Sequence, residues 1–499
     1  MKVLLLNPPT SFEQLYGDWD LSPLDTYTPP LGIMHIASYI REHGHQARIL
    51  DLQPGGTDIA EAVQQTVSFH PDVIGLSAMT INCLNAKRIA EELKGAGCKA
   101  PIVLGGAHMT AVPVQTMRAF ESVEYGVIGE GEITFLDLIE TLADHRPVAG
   151  VQGLVWRDAT GAVVMNDRRP FIENLDSLPI PAWDLLEGFP DRYPSSLLES
   201  KRVPAAGIMT SRGCPFSCTF CDNRVFGTKV RHFSADYSLR MIRHLVSEYA
   251  IKDLMVLDDN FLLDREKLFT ICDTMISEGI DLSWYCIAHA KSMTPDRLHA
   301  IKKAGCWFVE MGIESGNDEI LKRIRKKTDS QEIASAARAA RKAGLMTKGN
   351  FIFGLPGETL RTLEETIQFA LDIDIDFFQQ SFLTAWPGCQ IHSELYTLDG
   401  TGGGIESWGM LAHQRVTHVP EGMTEDELIK LSKQAFRRFY LRPKIMLRLL
   451  PLMMTPRGLK LGLLSLFVFL KTILGRGTSA RGSLSDTNRP SEGRLHAGA

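Results

Sequence analysis

The strongest constraint on the fold is an alternation of short apolar runs with amphipathic stretches, which occurs twice in the 499 residues. Continuous apolar strands separated by helices are typical of parallel sheets that are covered on both faces. The first alternation occupies residues 1–148, and the second occupies residues 201–420. We therefore predict an α/β protein with two successive parallel-sheet domains.

The first domain is predicted to have a flavodoxin-like fold. Its expected strands are Val3–Leu6, Ala47–Leu50, Val73–Leu76, Ile102–Leu104 and Tyr125–Ile128, with helices that include Leu31–His43 and Asn85–Lys94. Ligands of such sheets bind beyond the carboxyl ends of the strands. Polar or glycine-rich segments follow four of the five strands, namely 7–9, 77–80, 105–108 and 129–132. The residues alone therefore indicate a binding domain whose ligand is unidentified.

The second domain is predicted to be a partial barrel of six βα units. Its expected strands are Ala206–Thr210, Leu254–Leu257, Trp284–Ala288, Phe308–Gly312, Lys348–Phe353 and Phe377–Phe382. Six units are two short of a closed eight-stranded barrel. The missing units leave a lateral opening, which suits a large substrate.

Residues 149–200 are expected to form a small hairpin, from Leu154–Trp156 and Val163–Met165, and then a proline-rich linker. Glycine and aspartate between the two short strands favour a turn. The prolines that follow disfavour both a helix and a central strand. These residues are therefore predicted to connect the two domains.

Residues 421–477 are predicted to form a helical, apolar and basic C-terminal region. Thr424 and Glu427 indicate a capped helix start. The longest charge-free run, Leu461–Leu470, is half of the roughly 20 residues that span a bilayer. For residues 443–477, an interfacial helix with cationic flanks and a helical cap packed on the barrel fit equally. The polar, glycine-rich residues 478–499 are predicted to be disordered.

Composition excludes several classes of protein. The net charge of −6 comes without a basic domain or stripe, so no nucleic-acid partner is expected. The apolar run at the N-terminus is too short for a signal peptide. Six of the nine cysteines are scattered, as in proteins of a reducing cytoplasm. We predict a cytoplasmic protein, with a peripheral contact to the inner membrane if residues 443–477 are interfacial.

Three cysteines, Cys214, Cys218 and Cys221, lie within eight residues directly after the first strand of the second domain. A four-iron cluster is normally held by four thiolates, and no fourth cysteine lies near this group. The spacing predicts a cluster with one iron left open. The alternatives are three buried thiols or a zinc site that lacks a ligand, although zinc prefers a closed set of four.

The spacing Cys-x3-Cys-x2-Cys, with Phe220 before the last cysteine, resembles the signature of radical S-adenosylmethionine enzymes. The resemblance implies a 4Fe-4S cluster on Cys214, Cys218 and Cys221, with S-adenosylmethionine chelated to its open iron. In that family the reduced cluster cleaves this cofactor to a 5'-deoxyadenosyl radical. An external electron donor such as flavodoxin or ferredoxin is also implied.

The same resemblance assigns roles to residues that follow the barrel strands. Expected contacts to S-adenosylmethionine are Phe220, Asp258, Asp259, Glu314, Ser315, Gly354 and Gly357. His289 and Gln379 or Gln380 would face the substrate. Taken singly, Asp259 is better explained as a helix cap, and Ser315 and Gly357 as turn residues, but together they fall on the same rim as the cysteines. Cys286 and Cys306 are interpreted as core thiols, and no catalytic residue is assigned.

The ordered motifs of the first domain, at 29–32, 44–45, 51, 71–73, 105–108 and 129–132, resemble the cobalamin-binding domain of one large class of radical enzymes. The resemblance implies that Ser77, Thr80, Gly105, Gly106 and Glu130 contact cobalamin. The chain has no Asp-x-His-x-x-Gly segment, so water or nothing is expected below the cobalt. His108 is not assigned as a ligand.

The class with both features includes anaerobic magnesium-protoporphyrin monomethyl ester cyclase and methylases of lipids, peptides and antibiotics. The resemblance implies chemistry at an unactivated carbon, with methyl transfer to a hydrophobic or lipid-like substrate as the first expectation. Oxidative cyclisation or ring rearrangement is the alternative. A non-catalytic cobalamin sensor with a decayed barrel is a further alternative, but it would not need an intact cysteine trio.

Overall fold

The structure is a computed structural model that describes residues 1–10, 26–55, 58–196, 199–396, 408, 411, 415–455 and 458–459. The run Leu461–Leu470 and the tail 478–499 lie outside these residues, so the predictions made for them stay predictions. The proposed domain boundaries also stay predictions. The two parallel sheets are both present within the described residues.

The first sheet contains seven strands in the spatial order β2-β1-β3-β4-β5-β6-β7. They are β1 (Lys2–Asn7), β2 (Gln46–Asp51), β3 (Val73–Ser77), β4 (Ile102–Gly105), β5 (Tyr125–Val127), β6 (Leu154–Arg157) and β7 (Val163–Met165). Strands β1 to β5 pair in parallel, and the order 2-1-3-4-5 is that of flavodoxin-like folds. The predicted hairpin, β6 and β7, pairs antiparallel with β5 and so extends this sheet.

Six α-helices accompany these strands in the described residues of the first domain. They are α1 (Leu31–Glu42), α2 (Ile59–Phe69), α3 (Cys83–Gly95), α4 (Ala107–Ala111), α5 (Pro113–Ala119) and α6 (Gly131–Ala143). Alternate residues of β1 serve the two faces of the sheet: Val3 and Leu5 lie in one apolar cluster, and Leu4 and Leu6 lie in the other. Burial on both faces explains why the strand is a continuous apolar run rather than an alternating one.

The second sheet is the partial barrel. The remaining strands are β8 (Ala205–Ile208), β9 (Ser211–Arg212), β10 (Arg231–His232), β11 (Asp253–Val256), β12 (Ser283–Ala288), β13 (Cys306–Glu314), β14 (Met346–Phe353) and β15 (Phe377–Phe382). Six of them pair in parallel in the order β8-β11-β12-β13-β14-β15, which is the open six-stranded arrangement predicted. Strands β9 and β10 form a separate antiparallel hairpin.

Nine helices belong to the barrel and the C-terminal region in the described part of the chain. They are α7 (Ala235–Tyr249), α8 (Arg265–Ser277), α9 (Pro295–Lys303), α10 (Asp318–Arg323), α11 (Ser330–Lys342), α12 (Leu360–Asp372), α13 (Gln390–Tyr396), α14 (Glu425–Tyr440) and α15 (Pro443–Met453). The start of α14 has the predicted capping box, in which Thr424 and Glu427 satisfy each other's backbone N–H groups.

The two domains share one hydrophobic core. A single cluster contains Val3 of β1, Trp183 of the linker, Ala206 of β8 and Phe233 beside the β9–β10 hairpin. Trp183 is almost fully buried, so it serves as a packing residue of the linker. Because the apolar contacts are continuous, the barrel and the first sheet are packed as one body.

Helix α15 packs against the amino-terminal end of the barrel. Leu449 and Leu452 contact an apolar cluster inside the barrel that includes Phe308 and Phe377. Lys444 and Arg448 pair with Asp374, just before β15, at 3.2 and 2.8 Å. One face of the helix is therefore packed on the barrel, as the cap alternative expects, and the contact made by its other face stays a prediction. No helix in the described ranges is both long and apolar enough to cross a membrane.

Candidate functional site

The cysteines lie in a loop, residues 213–230, that leaves the hairpin at β9 and returns at β10; we call it the cluster loop. Gly213 has φ +95°, and a Cβ at this position would lie 2.5 Å from the Lys229 carbonyl oxygen. The Cys214 N–H donates to the Gly227 carbonyl at 3.3 Å. Only glycine suits this close approach, so Gly213 lets the two ends of the cluster loop pack together.

The three cysteine side chains are neighbours in the cluster loop. The Cys221 N–H donates to the Cys218 carbonyl at 3.1 Å, and Cys221 interacts electrostatically with both other thiols. No three His, Cys, Asp or Glu side chains among the described residues lie close enough together to hold one ion. In a four-iron cubane each thiolate binds a different iron, so the three sulfur atoms need to lie farther apart than the ligands of a single metal ion. Cys221 is an exposed residue, but desolvation of its sulfur and then the charge of Asp259 raise the pKa of the thiol to about 12, and iron binding would displace that proton.

A buried ammonium group lies beside the cysteines. Lys326 Nζ is 2.7 Å from Glu314 Oε1 and 5.9 Å from the centre of the Phe220 ring. Burial alone would lower the pKa of Lys326, but Glu314 and the thiol of Cys218 raise it above its ordinary value. The lysine therefore stays charged next to the place where thiolates bind iron. It lies twelve residues after Glu314, and no local motif in the sequence indicates it.

Glu314 is held in an uncommon backbone conformation. Its φ is +68°, at the end of β13 where the register with β14 shifts. Left-handed φ costs a non-glycine residue roughly 1–2 kcal/mol, which points to a functional constraint. A Cβ on Gly312 would lie 2.5 Å from Glu314 Oε1 and 2.8 Å from Lys326 Nζ. The glycine thus leaves room for the Glu314–Lys326 pair.

The two aspartates after β11 have different surroundings. Asp258 is buried and accepts hydrogen bonds from the Thr210 N–H at 2.5 Å, the Thr210 hydroxyl at 2.7 Å and the Ser211 hydroxyl at 2.6 Å. Asp258 thus ties the end of β11 to the end of β8. We predicted that it contacts S-adenosylmethionine, but its carboxylate is already occupied by these hydrogen bonds. Asp259 is exposed and interacts with Cys214 and Cys221. Of the pair, Asp259 is the one that faces the cluster loop.

The residues after β13 and β14 shape the rim. Ser315 is buried with its hydroxyl 3.0 Å from that of Thr366, so it faces α12 rather than the mouth of the barrel. Glu358 accepts from the N–H groups of Gly354 at 2.7 Å and Leu355 at 2.9 Å. Burial raises the pKa of Glu358 to about 8. The carboxyl group therefore holds the turn that includes Gly354 and Gly357, both at positive φ.

His289 was predicted to face the substrate, but it packs against the cluster loop instead. Its ring stacks on Phe216 of the cluster loop with centroids 4.1 Å apart. Nδ1 accepts from the Lys291 N–H at 3.3 Å, so the other nitrogen, Nε2, donates to the Lys326 carbonyl at 3.2 Å. Burial and then Lys326 lower its pKa to about 4. His289 is a neutral support of the cluster loop.

The two glutamines of β15 point to opposite sides, because side chains alternate along a strand. Gln380 accepts a short hydrogen bond from the hydroxyl of Ser432 on α14, so its assignment to the substrate space is wrong. Gln379 is exposed on the other side of the strand. Only Gln379 keeps the predicted orientation as a possible substrate contact.

The structure brings together four of the residues predicted to contact cobalamin, Ser77, Thr80, Gly105 and Gly106, at the carboxyl ends of β3 and β4. Gly106 has φ +96°, and a Cβ would lie 2.6 Å from the Ala78 carbonyl oxygen. The two loops therefore pack backbone to backbone, and we call the surface that they form at the ends of β3 and β4 the cobalamin groove, after its predicted ligand.

His108 lies behind this groove. Its Nδ1 is 3.2 Å from the Thr80 hydroxyl, and its ring contacts Trp408 with centroids 4.4 Å apart. Nε2 is buried and has no hydrogen-bond partner among the described residues. Burial lowers the pKa of His108 to about 3, so the imidazole is neutral. The ring belongs to the core under the groove.

Glu130 is engaged by two arginines of the barrel domain rather than open to cobalamin. Its oxygens lie 2.8 Å from Arg212 and 2.7 Å from Arg231, and Arg212 also lies 2.5 Å from Glu132. All four side chains are at most 4 % exposed. We call these four residues the interdomain ion network. The sequence analysis missed both arginines, although they flank the cluster loop.

Comparison with known families agrees with this geometry. Residues 208–370 match the radical SAM superfamily, and residues 21–139 match the B12 binding domain. The first range contains the cluster loop, and the second contains the groove at β3 and β4. The cysteine loop and the predicted cobalamin-contact residues thus lie in the ranges that match these two families.

Relatives of known class cover nearly the whole chain. An uncharacterized methyltransferase of Pyrococcus horikoshii is 33% identical over 451 residues, which are 90% of this chain and 94% of the relative. The anaerobic magnesium-protoporphyrin IX monomethyl ester cyclase of Rubrivivax gelatinosus is 26% identical over 451 residues, covering 88% and 78%. The radical S-adenosylmethionine methyltransferase TsrM of Kitasatospora setae, solved with cobalamin and a [4Fe-4S] cluster, has a TM-score of 0.66 at 19% identity and covers 80% and 75%.

The chain belongs to the cobalamin-binding radical S-adenosylmethionine enzymes, a family with methyltransferase and cyclase members. It is therefore an enzyme whose cofactors are a 4Fe-4S cluster, S-adenosylmethionine and cobalamin. The family was predicted from the cysteine spacing and the motifs of the first domain, and this prediction is confirmed.

Proposed function

We propose that the protein is a C-methyltransferase that acts at an unactivated carbon of a hydrophobic or lipid-like substrate. The observation that carries the proposal is the meeting of the two cofactor regions. The cluster loop contacts the first domain through Arg224, which donates to the Ala111 carbonyl at 3.1 Å, and the strand β9 that precedes the loop contacts it through Arg212 on Glu130. A radical centre and a methyl donor must share one space for methyl transfer to occur.

When bound, the cluster with S-adenosylmethionine supplies hydrogen abstraction, and cobalamin supplies a methyl group or accepts an electron. The chain's own groups prepare the site. Cys214, Cys218 and Cys221 would hold the cluster, while the buried Lys326–Glu314 pair places one fixed charge pair beside it. Asp259 offers an exposed carboxylate to the amino group of S-adenosylmethionine. An external electron donor such as flavodoxin or ferredoxin would reduce the cluster.

Methyl transfer is favoured over the alternative by the relatives. The methyltransferase of Pyrococcus horikoshii is 33% identical to this chain, whereas the cyclase of Rubrivivax gelatinosus is 26% identical. Oxidative cyclisation is the second candidate, because the cyclase aligns over 88% of the chain. A hydrophobic substrate is proposed because the C-terminal region is apolar and basic.

The experiment uses the full chain with reconstituted cluster and cobalamin, a chemical reductant, deuteromethyl S-adenosylmethionine and a bacterial total lipid extract as the probe. The proposal expects S-adenosylhomocysteine to form together with 5'-deoxyadenosine, and a deuteromethylated lipid to appear. If 5'-deoxyadenosine forms and a lipid is altered but not methylated, the reaction is an oxidation and not a methyl transfer. Failure to consume S-adenosylmethionine at all would support the sensor. A Cys218→Ala variant is the control for cluster-dependent turnover.

We further propose a peripheral membrane contact through the outer face of α15, which consists of Met446, Leu447, Leu450 and Met453. Met446 is 57% exposed and Leu447 is 68% exposed. No Asp or Glu occurs between Glu427 and Asp486, whereas this stretch contains twelve Lys and Arg residues. An apolar face within a strongly basic stretch suits an anionic lipid surface.

Co-sedimentation with anionic phosphatidylserine vesicles at low salt tests this contact. The wild type is expected to sediment, and a Met446→Ser, Leu447→Ser, Leu450→Ser variant is expected to stay in solution. Ile276→Ser on α8 is a matched control, because Ile276 is also an exposed apolar residue, at 47%. If the triple variant sediments as much as the wild type, the outer face of α15 does not contact the membrane.

A further inference from the structure

The base of the cluster loop carries two arginines in register. Arg212 of β9 is paired with Arg231 of β10, and one residue, Gly213, separates Arg212 from Cys214. Two buried guanidinium groups on neighbouring strands repel each other unless carboxylates lie between them. The carboxylates that bind these two arginines therefore also fix the start and the end of the cluster loop.

The carboxylates come from the other domain. Glu130 and Glu132 flank the start of α6, next to the carboxyl end of β5, where the cobalamin-binding domain presents its ligand edge. Glu130 bridges both arginines, and its Oε2 also accepts from the Ile172 N–H at 2.8 Å. Arg231 donates in turn to the Ile172 carbonyl at 2.8 Å. The network thus joins three segments: the first domain, the linker and the hairpin.

The surroundings keep the network dry. The Phe226 ring lies 5.3 Å from the guanidinium of Arg212, and the Phe171 ring lies 4.7 Å from that of Arg231. His35 of α1 is fully buried nearby, and burial followed by Arg212 lowers its pKa to about 3. His35 is therefore neutral and adds no third positive charge. Buried ion pairs like those of the network add little net stability compared with apolar packing, but they hold the segments that they join in one relative arrangement.

We propose that Arg212 and Arg231 are positioning residues that set the distance between the cobalamin groove and the open corner of the cluster. The interdomain ion network connects the carboxyl edge of one sheet to the loop that holds the cysteines. A displacement of about 1 Å can cost roughly 100-fold in rate, so a rigid link at this point has a direct catalytic consequence. The role is the same for methyl transfer and for cyclisation.

The test measures the distance between the cofactors without turnover. The full chain is loaded with both cofactors and reduced to the paramagnetic states of cobalt and cluster, and pulsed electron paramagnetic resonance gives their distance distribution. The Arg212→Met, Glu132→Gln double variant removes one complete pair, which avoids leaving a buried charge alone. We expect unchanged iron and cobalamin content, but a shifted or broader distance distribution than in the wild type.

Two further variants make the result decisive. Arg243→Gln removes an exposed ion pair with Glu278 outside the cluster loop, and it should leave the distribution unchanged. Arg212→Lys keeps the charge but loses the two-pronged contact, and it should lie between the wild type and the double variant. A double variant with lowered thermal stability but the wild-type distribution would overturn the proposal and leave the network a purely stabilising role.

Discussion

The interdomain ion network and the base of α15 both pair arginine with carboxylates, yet they differ in what covers them. Arg212 and its partners are at most 4 % exposed, whereas Arg448 and Asp374 are 21% and 28% exposed. At the network, phenylalanine rings from the same chain exclude water. At α15, the cations turn toward the barrel and the apolar side chains face outward. The side chains of the network are covered entirely by the same chain, whereas the outer apolar face of α15 is left exposed for a partner.

The largest expected effect comes from breaking the network. Arg212→Met leaves Glu132 buried without its cation, so the free energy of unfolding should fall by about 3–5 kcal/mol. Urea-induced unfolding, with the midpoint and slope compared with the wild type, measures this loss. Lys229→Met at the exposed pair should change stability by less than about 0.5 kcal/mol. A similar small loss for both variants would mean that water reaches the network.

A smaller effect is expected at the base of α15. Asp374 receives Arg448 and Lys444, but it is partly exposed, so Asp374→Asn should cost about 1 kcal/mol at neutral pH. Slight burial raises the pKa of Asp374, but hydrogen bonds from Arg448 and Lys444 outweigh it and lower the pKa overall. A carboxylate with a lowered pKa stabilises the fold above its unfolded pKa of about 3.9 and loses this effect as the pH falls. Urea unfolding at pH 7 and pH 3 should therefore show the difference between the two proteins shrinking at pH 3. A constant difference would exclude a contribution from charge.

The smallest effect is expected on the outer face of α15. Leu447 is 68% exposed, so Leu447→Ser should change the free energy of unfolding by less than about 0.5 kcal/mol. Leu449→Ser on the opposite side of the helix is the matched variant, because Leu449 packs against the apolar cluster of the barrel. Thermal unfolding should separate the two variants clearly. Equal losses would show that the outer face is packed in solution.

The strands and caps were predictable because their causes are local. Buried parallel strands need continuous apolar runs, so β1 and β15 were located within a residue of their observed bounds. Thr424 and Glu427 act over three residues, and their capping box was predicted. The cysteine spacing is also local. These features require only neighbours in the chain.

The interactions that complete the site are long-range, and the sequence analysis missed them. Glu130 meets Arg212 across 82 residues, and its place in a motif near the groove led to the wrong partner. Lys326 reaches the cluster loop through the turn after α10. Alternation along β15 predicts that Gln379 and Gln380 face opposite sides, but only the packing of α14 determines which side faces the helix. Partners of buried charges depend on topology, which a residue pattern does not contain.

The hairpin beneath the cysteines has a consequence for cofactor assembly. Strands β9 and β10 bring the two ends of the cluster loop together through their own backbone pairing. The entropy of closing a loop grows with the logarithm of its length, and here protein contacts meet that cost before the metal arrives. Iron then has only the three thiol side chains to organise. A chain with this hairpin therefore needs less ordering of its cluster loop when the cluster is inserted.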